Sequence, residues 1–395
     1  MRSNSVDKVE VHLRGYGFQP LGMKEMVDAR EKPHAILVSY PLQGHVNPSV
    51  HLAINLASRG FTITFINTHS IHHQITSTSS AADGEGDIFS ELRQSHGLDI
   101  RYATVSDGLP VGFDRSLHHD QFMAALLHVF SAHVEEAIEK IVRHSQPAVN
   151  CLIADTYFVW PGKLAKKYGL LYVSFWTEAA LIFTLYYHMD LLRLNGHFGC
   201  VDTREDEIKY IPGVESIEPK DLTSFLQETD TTTVCHQIIY KAFMDAKTAD
   251  FVLCNTGSPE PQSRLACGPN RTAAGGSTPS LMLMALYVSF GSYAHVAKGD
   301  LIEPHGSVLY VSFGSYAHVA KGDLIEIAKG LLLSKVDFIW ALRPDIVSSD
   351  DQTPLPDGFI EETGEHGVII PWCCQTQVLA HPAVGGFLTH CGWNC

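Results

Sequence analysis

The 395-residue sequence contains no apolar run approaching the roughly 18 residues needed to span a bilayer. Arg2, Lys8, Glu10, Arg14, Lys24 and Glu25 interrupt its first thirty residues and leave no room for a secretory hydrophobic region. Basic residues are scarce as well: 28 Lys and Arg stand against 43 Asp and Glu, for a formal net charge of -15. That balance lacks the cationic patch on which nucleic-acid binding depends. The nine cysteines are odd in number and without small-scaffold spacing, so they read as thiols in a reducing compartment. A dinucleotide fingerprint is missing too, since the turn after the first apolar strand offers Gly44 alone in place of G-x-G-x-x-G. What these absences leave is a globular protein, expected in the cytoplasm as a monomer with no nucleic-acid or membrane partner. With 45% hydrophobic and 18% charged residues it is large enough for about two domains.

What is present is a repeating strand and helix pattern. Ala35, Ile36, Leu37 and Val38 form an apolar run suited to a strand buried on both faces. Residues 40–46 read as a loop, Asn47 as a helix cap and Pro48 as the first helical position. Val46, Val50, Ala53 and Ala57 then follow at helical spacing, Gly60 closes the helix, and residues 61–66 read as a second strand. The pattern recurs as a long helix over 121–142, a strand over 150–154, a helix after Pro161 and a strand over 172–175. Residues 251–254 read as the last strand of this half. Strands alternating with helices predict a doubly wound α/β sheet whose ligands sit beyond the carboxyl ends of the strands.

Residues 257–280 turn rich in Gly, Pro, Ser, Thr and Ala and read as a linker. Beyond them, residues 286–303 recur unchanged at 309–326. Two copies do not make a solenoid. The second runs on into a plausible helix and is taken as the opening strand and turn of another domain. The first is expected to be a gene-model or splicing anomaly without a place in the sheet. The organisation expected is therefore an atypical extension over 1–30, a first α/β domain over 31–256, a linker with the duplicated segment over 257–306, and a second domain over 307–395. Residues 337–342 and 367–370 supply it with further buried strands.

The closing stretch runs Trp372-Cys373-Cys374-Gln375, then Val378-Leu379-Ala380-His381-Pro382, then Gly385-Gly386-Phe387-Leu388-Thr389-His390-Cys391-Gly392-Trp393-Asn394. It resembles the signature box of plant secondary-product UDP-glycosyltransferases. The resemblance extends to the His45 loop, Ser106-Asp107-Gly108-Leu109-Pro110, Asp155, Phe175-Trp176-Thr177 and Ser312-Phe313-Gly314-Ser315. It implies two doubly wound parallel-sheet domains of the GT-B type, 31–256 binding the acceptor and 307–395, truncated, binding the UDP-sugar. The activity it implies is inverting transfer of a sugar, glucose above all, from a UDP-sugar to a hydroxyl of a small lipophilic acceptor, with no metal and no cofactor besides that co-substrate.

Within this resemblance His390, Asn394 and Cys395, where the family has Ser, contact the diphosphate, and Ser315 makes another phosphate contact. Trp372 stacks on uracil with Cys373 in the same site, Gln375 reaches the ribose, and Trp393 faces the sugar. The residues agree: 385–389 reads as a strand and 390–392 as a turn into a helix near Trp393, whose N-terminus favours an anion. Core packing is the rival for Trp372 and Trp393. The adjacent Cys373 and Cys374 lack the C-x₂₋₄-C spacing of structural zinc, so no metal site is expected.

His45, ahead of a helix, matches the general base that takes a proton from the acceptor, which imidazole can do near neutral pH. Asp155, at a strand end, matches the carboxylate that orients it; the alternative is a cap of the following helix. Thr177 matches a sugar or phosphate contact and equally suits an N-cap for a helix starting at Glu178. Beyond Cys395 the family has the rest of the phosphate-binding helix, a ribose-binding Glu and an acidic-Gln pair. The second reading is accordingly an inactive or misassembled product that binds UDP weakly at most.

Overall fold

The chain divides into Met1–Lys32 and Pro33–Cys395. The computed structural model describes residues 32–78, 87–200, 204–255, 282–285, 308–315, 318–344, 346–347, 355–364 and 366–390. Seven strands build the first sheet: β1 (His34–Val38), β2 (Thr62–Thr68), β3 (Ile100–Val105), β4 (Cys151–Asp155), β5 (Leu171–Trp176), β6 (Phe251–Cys254) and β7 (Met282–Ala285). All pair in parallel, in the order β3-β2-β1-β4-β5-β6-β7.

Every residue of β1 and β2 is buried, as their unbroken apolar and β-branched runs require of strands covered on both faces. Alternation then splits the core. Ile36 and Val38 pack with Phe122, Leu152, Trp176 and Phe243 on one face, while Ala35 and Leu37 pack with Leu52, Phe65 and Phe89 on the other. The strand order reverses between β1 and β4, and the crevice beyond the carboxyl ends at such a reversal is where open α/β sheets hold ligands.

A second sheet holds β8 (Val308–Ser312), β9 (Asp337–Ala341), β10 (Gly367–Ile370) and β11 (Val384–Thr389), parallel and in the order β10-β9-β8-β11. The second copy of the repeat supplies most of β8 and the start of the helix Lys321–Ser334. The two parallel sheets flanked by helices, the second small, match the doubly wound GT-B class read from the sequence.

Several local expectations are corrected. The first helix starts at Gln43, not after Asn47, because the Leu42 carbonyl accepts from the backbone N–H of both His45 and Val46 at 2.9 Å. Pro48 therefore lies inside the helix, where its missing N–H forfeits one bond in the second turn. The single helix over 121–142 is two, His119–His128 and Phe130–His144, broken at Val129. β3 was not anticipated: it is an edge strand with only Ile100 and Val105 fully buried. Nor is β6 last, since β7, inside the expected linker, pairs Phe251 with Met282 and Cys254 with Ala285. The first copy of the repeat lies outside the described residues.

Candidate active site

His45 sits in the first turn of the helix that leaves β1, and Asp155 is the last residue of β4. The sheet reversal therefore brings together two residues 110 positions apart: His45 Nδ1 lies 2.7 Å from Asp155 Oδ2. Both are buried, the side chains retaining 11% and 1% of their exposure. A carboxylate only accepts, so Nδ1 carries the proton and Nε2 is left with the lone pair. Nε2 has no hydrogen-bond partner among the described residues.

Asp155 is itself fixed, its Oδ1 accepting the Tyr157 N–H at 2.9 Å. It caps no helix, because the next one starts at Pro161. Thr177, just past β5, is not a cap either: the next helix begins at Ala180, and the Thr177 hydroxyl lies 2.9 Å from His45 Nδ1. Its oxygen flanks the same Nδ1–H that donates to Asp155. Tyr40 and Tyr157 wall the imidazole with ring centroids at 5.2 and 5.4 Å.

Burial alone would pull the imidazole's pKa down. The charge and hydrogen bond of Asp155, with the charge of Glu178, overcome it, and the net displacement is upward from 6.5. Glu178 was not singled out from the sequence. Burial, reinforced by Asp155, raises its carboxyl from 4.5 against the opposing charge of His45 and the hydrogen bond from the Tyr157 hydroxyl, at 3.3 Å. The signal that could have found Tyr157 and Glu178 is their position, each just beyond the carboxyl end of a strand.

The second sheet gathers its own group at the same ends. Gly314 and Ser315 follow β8, Arg343 follows β9, Trp372 and Cys373 follow β10, and His390 follows β11. Gly314 has φ +79°, and a Cβ there would stand 2.6 Å from His390 Cε1. The imidazole thus lies directly on the glycine turn. Buried Arg343, also missed from the sequence, donates through Nη1 to the Ser315 carbonyl. Burial, with the positive charge of Arg343, lowers the His390 pKa from 6.5.

Trp372 keeps 49% of its surface exposed, whereas Trp340 is the tryptophan of this core. Core packing is therefore not what Trp372 does. The Cys373 thiol lies 3.2 Å from the Tyr310 hydroxyl, and Gln375 opens a short helix, Gln375–Leu379. The structure brings His390, Ser315 and Gly314 together; Trp393, Asn394 and Cys395 lie outside the described residues. Among the described residues no helix is long and apolar enough to cross a membrane.

Residues 300–395 match the family described as UDP-glucoronosyl and UDP-glucosyl transferase. UDP-glycosyltransferase 86A2 of Arabidopsis thaliana is 59% identical over 390 residues, covering 91% of this chain and 74% of the relative. A 7-deoxyloganetin glucosyltransferase of Gardenia jasminoides is 31% identical over 412 residues, covering 92% and 78%. In fold, the chain is similar to UDP-glucose: anthocyanidin 3-O-glucosyltransferase in complex with UDP, with a TM-score of 0.65, 23% identity and coverage of 92% and 77%. A likeness of 59% across about three quarters of a relative settles membership: this chain belongs to the plant UDP-glycosyltransferase family.

Proposed function

We propose that the protein moves a sugar, glucose by preference, from a UDP-sugar to a hydroxyl of a small lipophilic acceptor, inverting the anomeric carbon. The observation that carries this is the buried His45–Asp155 pair at the reversal point of the first sheet, its Nε2 without a partner among the described residues. An acceptor hydroxyl donates to Nε2 and loses its proton there as its oxygen bonds to the sugar C1, while the C1–O bond to UDP breaks. Asp155 holds the ring in the required tautomer and stabilises the imidazolium that results. The exposed Trp372 face suits uracil, Gln375 the ribose, and His390 with the Ser315 turn the departing diphosphate. Cys373 lies beside that nucleotide, while Trp393, Asn394 and Cys395 take the sugar and diphosphate roles the family gives them. Thr177 serves the base through Nδ1 as well as bordering the sugar. The UDP-sugar is the co-substrate, and neither metal nor further cofactor enters this scheme. The 7-deoxyloganetin glucosyltransferase name of the Gardenia jasminoides relative supports glucose and a small-molecule acceptor. The protein acts in the cytoplasm as a monomer.

The base works only when neutral, so kcat/KM for glucosylation of a phenol rises with pH through the raised pKa of His45, and its acid limb lies above 6.5. Asp155→Asn removes the Asp155 charge from the upward push and leaves burial opposed by Glu178, so the limb moves to lower pH as the maximal rate falls. The same shift has a stability counterpart. A raised folded-state pKa stabilises the fold below pH 6.5, and that contribution is lost as pH rises through the folded value. A limb that stays in place in Asp155→Asn, with product followed by mass spectrometry, rules His45 out as the base.

Gly314 gives a separate test of the nucleotide half. In Gly314→Ala a positive φ and a Cβ pressed on His390 distort the turn at a cost of about 1–3 kcal/mol. UDP affinity measured by calorimetry then falls about tenfold or more, and uridine affinity much less.

A further inference from the structure

Two carboxylates act on the base at His45, and only Asp155 is hydrogen-bonded to it. Glu178 follows Thr177 beyond the carboxyl end of β5, in the strand next to β4, and is half-buried. Tyr157 fixes its place. The Tyr157 ring stands edge-on to the imidazole at 5.4 Å, and its hydroxyl donates to Glu178 Oε1 at 3.3 Å. The second carboxylate is thus held about one aromatic ring from the base. Its Oε2 has no hydrogen-bond partner among the described residues and is not sealed from solvent. Nothing cationic but His45 opposes its charge in that group of side chains.

We propose that Glu178 is a specificity-determining residue: Oε2 accepts a hydrogen bond from a second hydroxyl adjacent to the one that reacts, and its charge turns away acceptors carrying a carboxylate there. The inference rests on the reading of the His45 crevice as the acceptor site. A half-buried carboxylate loses hydration on acceptor binding, so a donor that replaces the lost water is favoured and an anion is not. Hydrogen bonds to charged groups are the strong ones, and a preference of about tenfold is the expected size. Tyr157 leaves this selection intact, because it occupies the other oxygen.

Three probes on one skeleton test the idea: 2-naphthol, 2,3-dihydroxynaphthalene and 3-hydroxy-2-naphthoate, with binding to the protein followed by naphthalene fluorescence without any donor. The diol binds about tenfold tighter than the naphthol, and the naphthoate at least tenfold weaker. In Glu178→Gln, which keeps the shape and the Tyr157 hydrogen bond, the three affinities converge to within about threefold. Glu178→Asp retains the charge and therefore the discrimination against naphthoate, and it decides the matter should the amide variant not fold. Discrimination that persists in Glu178→Gln, or vanishes in Glu178→Asp, overturns the role of Glu178 alone. If none of the three binds the parent protein, the acceptor-site reading falls and this proposal falls with it.

Discussion

His45→Ala is expected to lower sugar transfer by about two to four orders of magnitude, the usual worth of a positioned general base. Initial rates with radiolabelled UDP-glucose and a phenol measure it. The ring is buried in the first sheet, while Trp372, Ser315 and His390 belong to the second, so UDP affinity should be unchanged. Asp155→Asn approaches the same loss by another route. An amide can donate to Nδ1, which then presents its lone pair inward and leaves the proton on Nε2, the wrong place for a base. Because the two residues act as one device, the double variant is hardly worse than His45→Ala. A full rate in His45→Ala would refute the base assignment outright.

The second large effect concerns stability. Trp176 is fully buried at the end of β5, with ring centroids 5.3 Å from Tyr157, 5.8 Å from Phe183 and 5.5 Å from Phe243, and its Nε1–H donates to the Ala179 carbonyl at 2.9 Å. Trp176→Ala opens a cavity among aromatic rings and orphans an acceptor, which together cost about 3–5 kcal/mol. Leu194→Ala, at a residue 82% exposed, should shift stability by less than about 0.5 kcal/mol. Urea unfolding followed by near-ultraviolet circular dichroism compares the two. Because Thr177 and Glu178 come directly after Trp176, the variant that survives should also bind acceptors more loosely.

The parts of this fold written locally were legible. An apolar run bounded by turn residues gives β1 and β4 without any tertiary information, and the order of the elements gives the doubly wound sheets. The pairing of His45 with Asp155 came from motif resemblance and strand-end position together; neither residue alone announces a base. Local chemistry misled where the tertiary structure outweighed it. Asn47-Pro48 is a strong helix-start signal, yet the Leu42 carbonyl had already started the helix. Thr177 suits a cap, but its hydroxyl is better placed on the imidazole. β3 was hidden because an edge strand needs few apolar residues. Arg343 and Glu178 were hidden for a different reason. A single charged residue after a strand has no periodicity and no motif, and only the packing of its neighbours shows what it faces.

The parallel pairing of β1 with β4 sets Leu37 opposite Ile153 and Val38 opposite Ala154, one step short of Asp155. Slippage by a single residue would turn Asp155 to the other face of the sheet and away from the imidazole. The short bond at Nδ1 therefore forms only in the native register, after a loop of more than a hundred residues has closed. In a refolding experiment, the downfield imidazole proton of His45 becomes a clock for that closure, appearing when the two central strands find each other and not before.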